Sequence, residues 1–123
     1  MKHLNQIDKC RFLNEIYNYK SNPKEFTYIG KAPSIVVFSS PENKFCIELE
    51  PALEIMAKRG KNKYKIYYVN TLQEPEMAQN FSPDKIPVIY LCPIGTRPTI
   101  VTDTINIREI FRLADRLLDK NPV

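Results

Sequence analysis

Two runs of β-branched and aromatic residues, with one helical pattern between them, constrain this chain more than any other feature. Residues 34–39 (SIVVFS) and 64–70 (YKIYYVN) read as strands. The first is apolar at successive positions, so both of its faces must be covered and it belongs in the middle of a sheet. Between the runs, Cys46, Leu49, Leu53, Met56 and Ala57 fall on one face of a helix. Strand, helix, strand makes the two strands parallel, with a right-handed crossover. Ser40-Pro41-Glu42 supplies an N-cap, a proline for the first helical position and an acid for the first turn. The sequence therefore predicts a helix start at Ser40. Lys58, Arg59 and Gly60 supply the stop.

The remaining segments extend this α/β pattern. Ile7, Cys10, Leu13, Ile16 and Tyr17 predict a helix over 7–19, ended by Ser21-Asn22-Pro23. Residues 26–29 form a short extended candidate and 30–33 a turn. Residues 74–81 predict a short helix beginning near Pro75. Residues 87–92 (PVIYLC) predict a third long strand, 93–96 a turn, and 97–102 an antiparallel partner. Ile107, Ile110, Phe111, Ala114, Leu117 and Leu118 mark a closing amphipathic helix, with Arg108, Glu109, Arg112, Asp115 and Arg116 opposite. A sheet with helices on both faces follows.

A length of 123 residues fits one domain, spanning 1–123. Three cysteines are too few, and odd in number, for a disulfide scaffold. The net charge of +4 comes from 18 basic and 14 acidic residues, without a basic stripe interleaved with stacking aromatics, so no nucleic-acid partner is expected. No apolar stretch approaches a membrane span. The first ten residues lack the apolar core of a leader, so a cytoplasmic location is expected. There is no Gly-rich phosphate loop, no metal-ligand spacing and no triad, and His3 is the single histidine. No metal or cofactor is expected, and non-redox enzyme chemistry has no support.

Several residues carry a specific resemblance to the thioredoxin family over residues 10–118. Asn18-Tyr19 with Asn22-Pro23 and Glu25-Phe26 resembles the lead-in of some bacterial thioredoxins. Residues 35–38 stand where the family has its central strand, Pro51 where a proline kinks the redox helix, and residues 67–70 where a strand ends in Asn or Asp. Ile86-Pro87-Val88 is similar to the family's Ile-Pro-Thr, whose proline is cis, and residues 95–98 match the following hairpin. The resemblance implies a thioredoxin fold, a central mixed sheet of four to five strands flanked by helices on both faces.

The departures bear on function. In place of Cys-Gly-Pro-Cys this chain has Asn43-Lys44-Phe45-Cys46, so Asn43 stands where the family has its nucleophile and Cys46 where it has the resolving thiol. Val37 replaces a buried acid, Ser39 and Glu42 replace aromatics, and Asp103 falls near a glycine position. Dithiol exchange needs one thiolate to attack and a second thiol to resolve the mixed disulfide. Asn43 cannot attack. The chain is therefore expected to have lost dithiol–disulfide reductase activity and to bind a protein or peptide client, or to serve structurally.

In the family, the backbone groups of the residue matching Ile86 pair with an extended peptide, which is strand addition and needs no thiol. Glu42, Lys44, Asp84 and Lys85 give that groove a charged rim. The alternative is a monothiol protein using Cys46 for mixed-disulfide or thiol-redox chemistry. With a helix starting at Ser40, Cys46 is expected in the second turn, on the apolar stripe with Leu49 and Leu53, as a buried inert thiol. Cys10 and Cys92 are expected in the core.

Overall fold

The structure, a computed structural model, describes residues 5–60, 63–102 and 106–118. His3 and Asp103 lie outside the described residues, as do the side chains of Ile107, Leu117 and Leu118. The elements run β1 (Asn5–Gln6), α1 (Lys9–Glu15), β2 (Ser34–Ser39), α2 (Lys44–Arg59), β3 (Lys65–Asn70), α3 (Pro75–Phe81), β4 (Val88–Cys92), β5 (Thr99–Val101) and α4 (Ile107–Leu118). The five strands form one sheet in the order β1-β3-β2-β4-β5.

All six residues of β2 are buried. It lies at the centre, parallel to β3 and antiparallel to β4. Its side chains alternate between two cores. Ile35 and Val37 pack with Leu49, Leu53 and Met56 of α2 and with Ile110 and Ala114 of α4. Val36 and Phe38 pack on the other face with Phe12 of α1 and Met77 of α3. The second core is largely aromatic. Phe38 stacks on Phe81 at 5.4 Å and meets Phe12 and Tyr90 edge-on at 6.1 and 5.4 Å. Such ring pairs add about 0.5–1.5 kcal/mol each beyond their buried area.

The first helix is shorter than its sequence pattern predicts; Ile7, Leu13, Ile16 and Tyr17 lie in or against the core as expected, but the buried face within the helix is centred on Phe12. It spans Lys9–Glu15, is capped by Asp8 through the Arg11 N–H, and buries Phe12, with Ile16 behind it. Cys10, expected in the core, is exposed. The reason is angular. Phe12 and Ile16, four residues apart, share a face, whereas Cys10 and Ile16 lie about 120° apart around the axis.

Residues 26–29 form no strand. The Ile29 N–H bonds instead to the carbonyl of Ile16, which folds this segment back on the end of α1. The strand β1 was absent from the pattern because its two exposed residues carry no periodicity. It pairs parallel to β3, with Asn5 opposite Tyr67.

Gly60 ends α2 as expected, its N–H bonding to the Met56 carbonyl. A Cβ at Gly60 would come within 2.5 Å of the Tyr64 ring, so glycine is what lets that tyrosine close over the helix end. Gly95, at φ 81°, occupies the left-handed region in the turn between β4 and β5.

Candidate functional site

Register brings the predicted site residues to one end of the sheet. Phe38 lies opposite Val69 on one side and Val88 on the other. The C-terminal ends of β2 and β3 and the start of β4 are therefore neighbours. From β2 the chain runs into the segment preceding α2. From β3 it runs into residues 71–74. Into β4 it arrives through Ile86 and Pro87, whose peptide bond is cis. Pro87 is buried and Ile86 half-buried.

The helix start differs from the expectation. Ser40 does not cap α2. Its Oγ accepts the Glu42 N–H at 3.1 Å and its carbonyl accepts the Asn43 N–H at 3.2 Å, making a turn over residues 40–43. Pro41 serves this turn at its second position as well as it would serve a first helical position. The N-cap is Asn43, extended at φ −86° and ψ 129°. Its Oδ1 accepts the backbone N–H groups of Phe45 at 2.9 Å and Cys46 at 3.1 Å. Asn and Ser are caps of similar strength, so the residue that closes the better ring of hydrogen bonds takes the role.

Cys46 is consequently the third helical residue, in the first turn rather than the second, where unpaired N–H groups and the helix dipole concentrate. Two of those N–H groups are already occupied by Asn43. Cys46 is 2% exposed and continues inward to Leu49 and Leu53. Lys44 and Phe45 point outward, and Phe45 is 53% exposed. Val37 is fully buried between Tyr68 and Ile89 in register, so no proton acceptor stands at its position. The Tyr68 phenol is pushed up by burial, with Glu50 and Cys46 near it.

The other two thiols are elsewhere. Cys92 is buried in the aromatic core on the opposite face of the sheet, and burial pushes its thiol up to about 12. Cys10 stands exposed on α1, which packs on that same opposite face. All three cysteines are free. The sheet separates Cys46 from both of the others.

One neighbour went unnoticed in the sequence. Thr71 donates its N–H and its hydroxyl to the Ser39 carbonyl at 2.9 and 3.2 Å, tying the segment after β3 to the end of β2. Asn70 Oδ1 accepts the N–H groups of Leu72 and Gln73 at 2.9 and 3.3 Å and sets the turn. Leu72 is left exposed at this end of the sheet. The signal was an isolated apolar residue directly after a strand-ending Asn-Thr.

Among the described residues no group of three His, Cys, Asp or Glu side chains could hold a metal ion. No helix among them is long and apolar enough to cross a membrane.

No protein-family model matches the chain. The thioredoxin of Borreliella burgdorferi is 27% identical to it over 89 residues, which cover 72% of this chain and 75% of that protein. This match, together with the five-stranded mixed sheet and its four flanking helices, makes the chain a relative of the thioredoxin family with a thioredoxin fold.

Proposed function

We propose that this thioredoxin relative has lost dithiol–disulfide reductase activity and serves as a module that binds an extended protein or peptide segment beside Ile86 and Pro87. The observation that carries the first half is the cap. Asn43, at the position matching the nucleophilic cysteine, holds the N–H groups of Phe45 and Cys46 through its own Oδ1. A thiolate at a helix N-terminus is stabilised by such donors. Here an amide oxygen occupies them and cannot attack a disulfide. Val37 adds a second deficit, because no buried acid is available to move a proton.

The monothiol alternative needs a reachable sulfur at Cys46, and its 2% exposure supports the first reading instead. For the binding half, the support is chemical. Strand addition uses backbone groups and survives the loss of a thiol. The charged Glu42, Lys44, Asp84 and Lys85 around this end favour a polar or charged client over an unfolded apolar one.

The test is reduction of insulin disulfides with dithiothreitol as the electron source. The expected result is a rate equal to dithiothreitol alone, unchanged by Cys46→Ser. Turnover at a rate typical of thioredoxins, abolished by Cys46→Ser, would overturn the reading.

A further inference from the structure

The sheet ends at β5, and among the described residues no chain pairs with its outer side. The strand is Thr99-Ile100-Val101, β-branched throughout and uncharged. An open edge of this kind presents unpaired N–H and C=O groups to any extended chain. Ile100 lies opposite Tyr90, so it points to the aromatic face of the sheet, and it is 54% exposed. Beside it opens a cavity of about 380 Å³, walled by Phe26, Phe81, Tyr90 and Ile100. That is within the range of small-ligand sites and larger than one aromatic ring requires. The walls are held in place, since Phe26 stacks on Tyr90 at 5.6 Å and Phe81 meets Tyr90 edge-on at 5.9 Å.

We propose that the outer edge of β5 takes an extended segment of another protein, acidic with a central aromatic residue, as a sixth strand whose ring enters this cavity. Strand addition commonly divides its labour, with backbone pairing for affinity and side-chain pockets for selectivity. With three residues, β5 can form only a few backbone bonds, so the ring must carry much of the affinity. The rings of Phe26, Phe81 and Tyr90, which form part of a cavity wall that Asn80 and charged side chains complete, suit an aromatic guest.

The acidic flanks follow from charge. Lys24, Glu25 and Arg97 line the cavity, so its charged lining carries an excess of one positive charge. Lys24 has no ion pair among the described residues. Arg97 pairs with Glu25 at 3.2 Å, with both side chains largely exposed, and such pairs exchange readily. A second copy of this chain would bring the same cations and the same +4 charge, which favours an acidic partner over self-association. This surface lies on the outer side of the sheet's last strand, away from the Asn43 cap, and is independent of the reading given above.

The experiment is an amide NMR titration of the full chain with a synthetic peptide, Asp-Glu-Val-Thr-Phe-Thr-Val-Glu-Asp. Two control peptides carry Ala for Phe, or Lys for every acid. Saturable shifts are expected at residues 99–101 and at Phe26, Phe81 and Tyr90. Each control should bind about tenfold more weakly or worse. Ile100→Lys, at an exposed position, should abolish the shifts while leaving the melting temperature unchanged, and Lys24→Glu should weaken them. Absence of shifts, equal binding of the Ala peptide, or shifts confined to residues 43–45 and 86–88 would overturn the proposal. So would concentration-dependent broadening at β5 without peptide, which would assign the edge to a second copy.

Discussion

Asn43 Oδ1 accepts the backbone N–H of Cys46 at 3.1 Å. Asn43 and Cys46 are thus joined as cap and first turn of one helix. Truncation measures what that cap contributes. Asn43→Ala should lower stability by about 1 kcal/mol in urea denaturation, with an unchanged slope, whereas Asn43→Ser or Asn43→Asp should stay near wild type.

The thiols should differ sharply in reactivity. Iodoacetamide applied to the native protein at pH 8, followed by peptide mass spectrometry, should modify Cys10 quickly. Cys46 and Cys92 should react only after denaturation. For Cys92 two causes combine, burial of the sulfur and a thiol pushed up to about 12. Rapid native labelling of Cys46 would favour the monothiol alternative.

The two cores should answer truncation according to burial. Phe38→Ala removes a fully buried ring in contact with Phe12, Phe81 and Tyr90, and should cost about 3–5 kcal/mol. Phe45→Ala, at a 53% exposed site, should fall within about 0.5 kcal/mol of wild type. Equilibrium denaturation measures both.

Glu76 sets an acid limb. Tyr19 donates its hydroxyl to it at 2.6 Å, and Lys9 and Lys20 lie at 3.1 and 3.2 Å. These partners, the tyrosine first, hold its carboxyl down at about 2 against an ordinary 4.5. Because the folded value is the lower one, the contribution is fully present above about pH 4.5 and is lost as pH falls through about 2. Melting temperatures of wild type and Glu76→Gln should therefore converge on acidification across that window. A constant difference from pH 5 to pH 2 would contradict it.

What the sequence disclosed, and what it hid, follows from where each signal resides. The centre of the sheet was legible because β2 and β4 are buried at every position and the helix between β2 and β3 carries one apolar stripe. The first helix was misread in part because its run of threes drifts around the axis, so that Phe12 carries the buried face and Cys10 points to solvent. The cap was misplaced because Ser40-Pro41-Glu42 satisfies a helix start and a turn equally, and only the backbone path chooses Asn43. The strand β1, two polar residues long, has no pattern to find. The cavity beside β5 assembles side chains from positions 26, 81, 90 and 100, a distance along the chain that no local pattern spans.

The central claim is that Asn43 stands where reductase chemistry needs a thiol. Insulin reduction by wild type and by Asn43→Cys, measured side by side with dithiothreitol, tests it most directly. No turnover above background is expected for wild type. For the variant, measurable turnover is expected, well below that of a thioredoxin because Val37 still supplies no acid. Equal turnover by the two proteins, or a folded Asn43→Cys variant that remains inert, would contradict it.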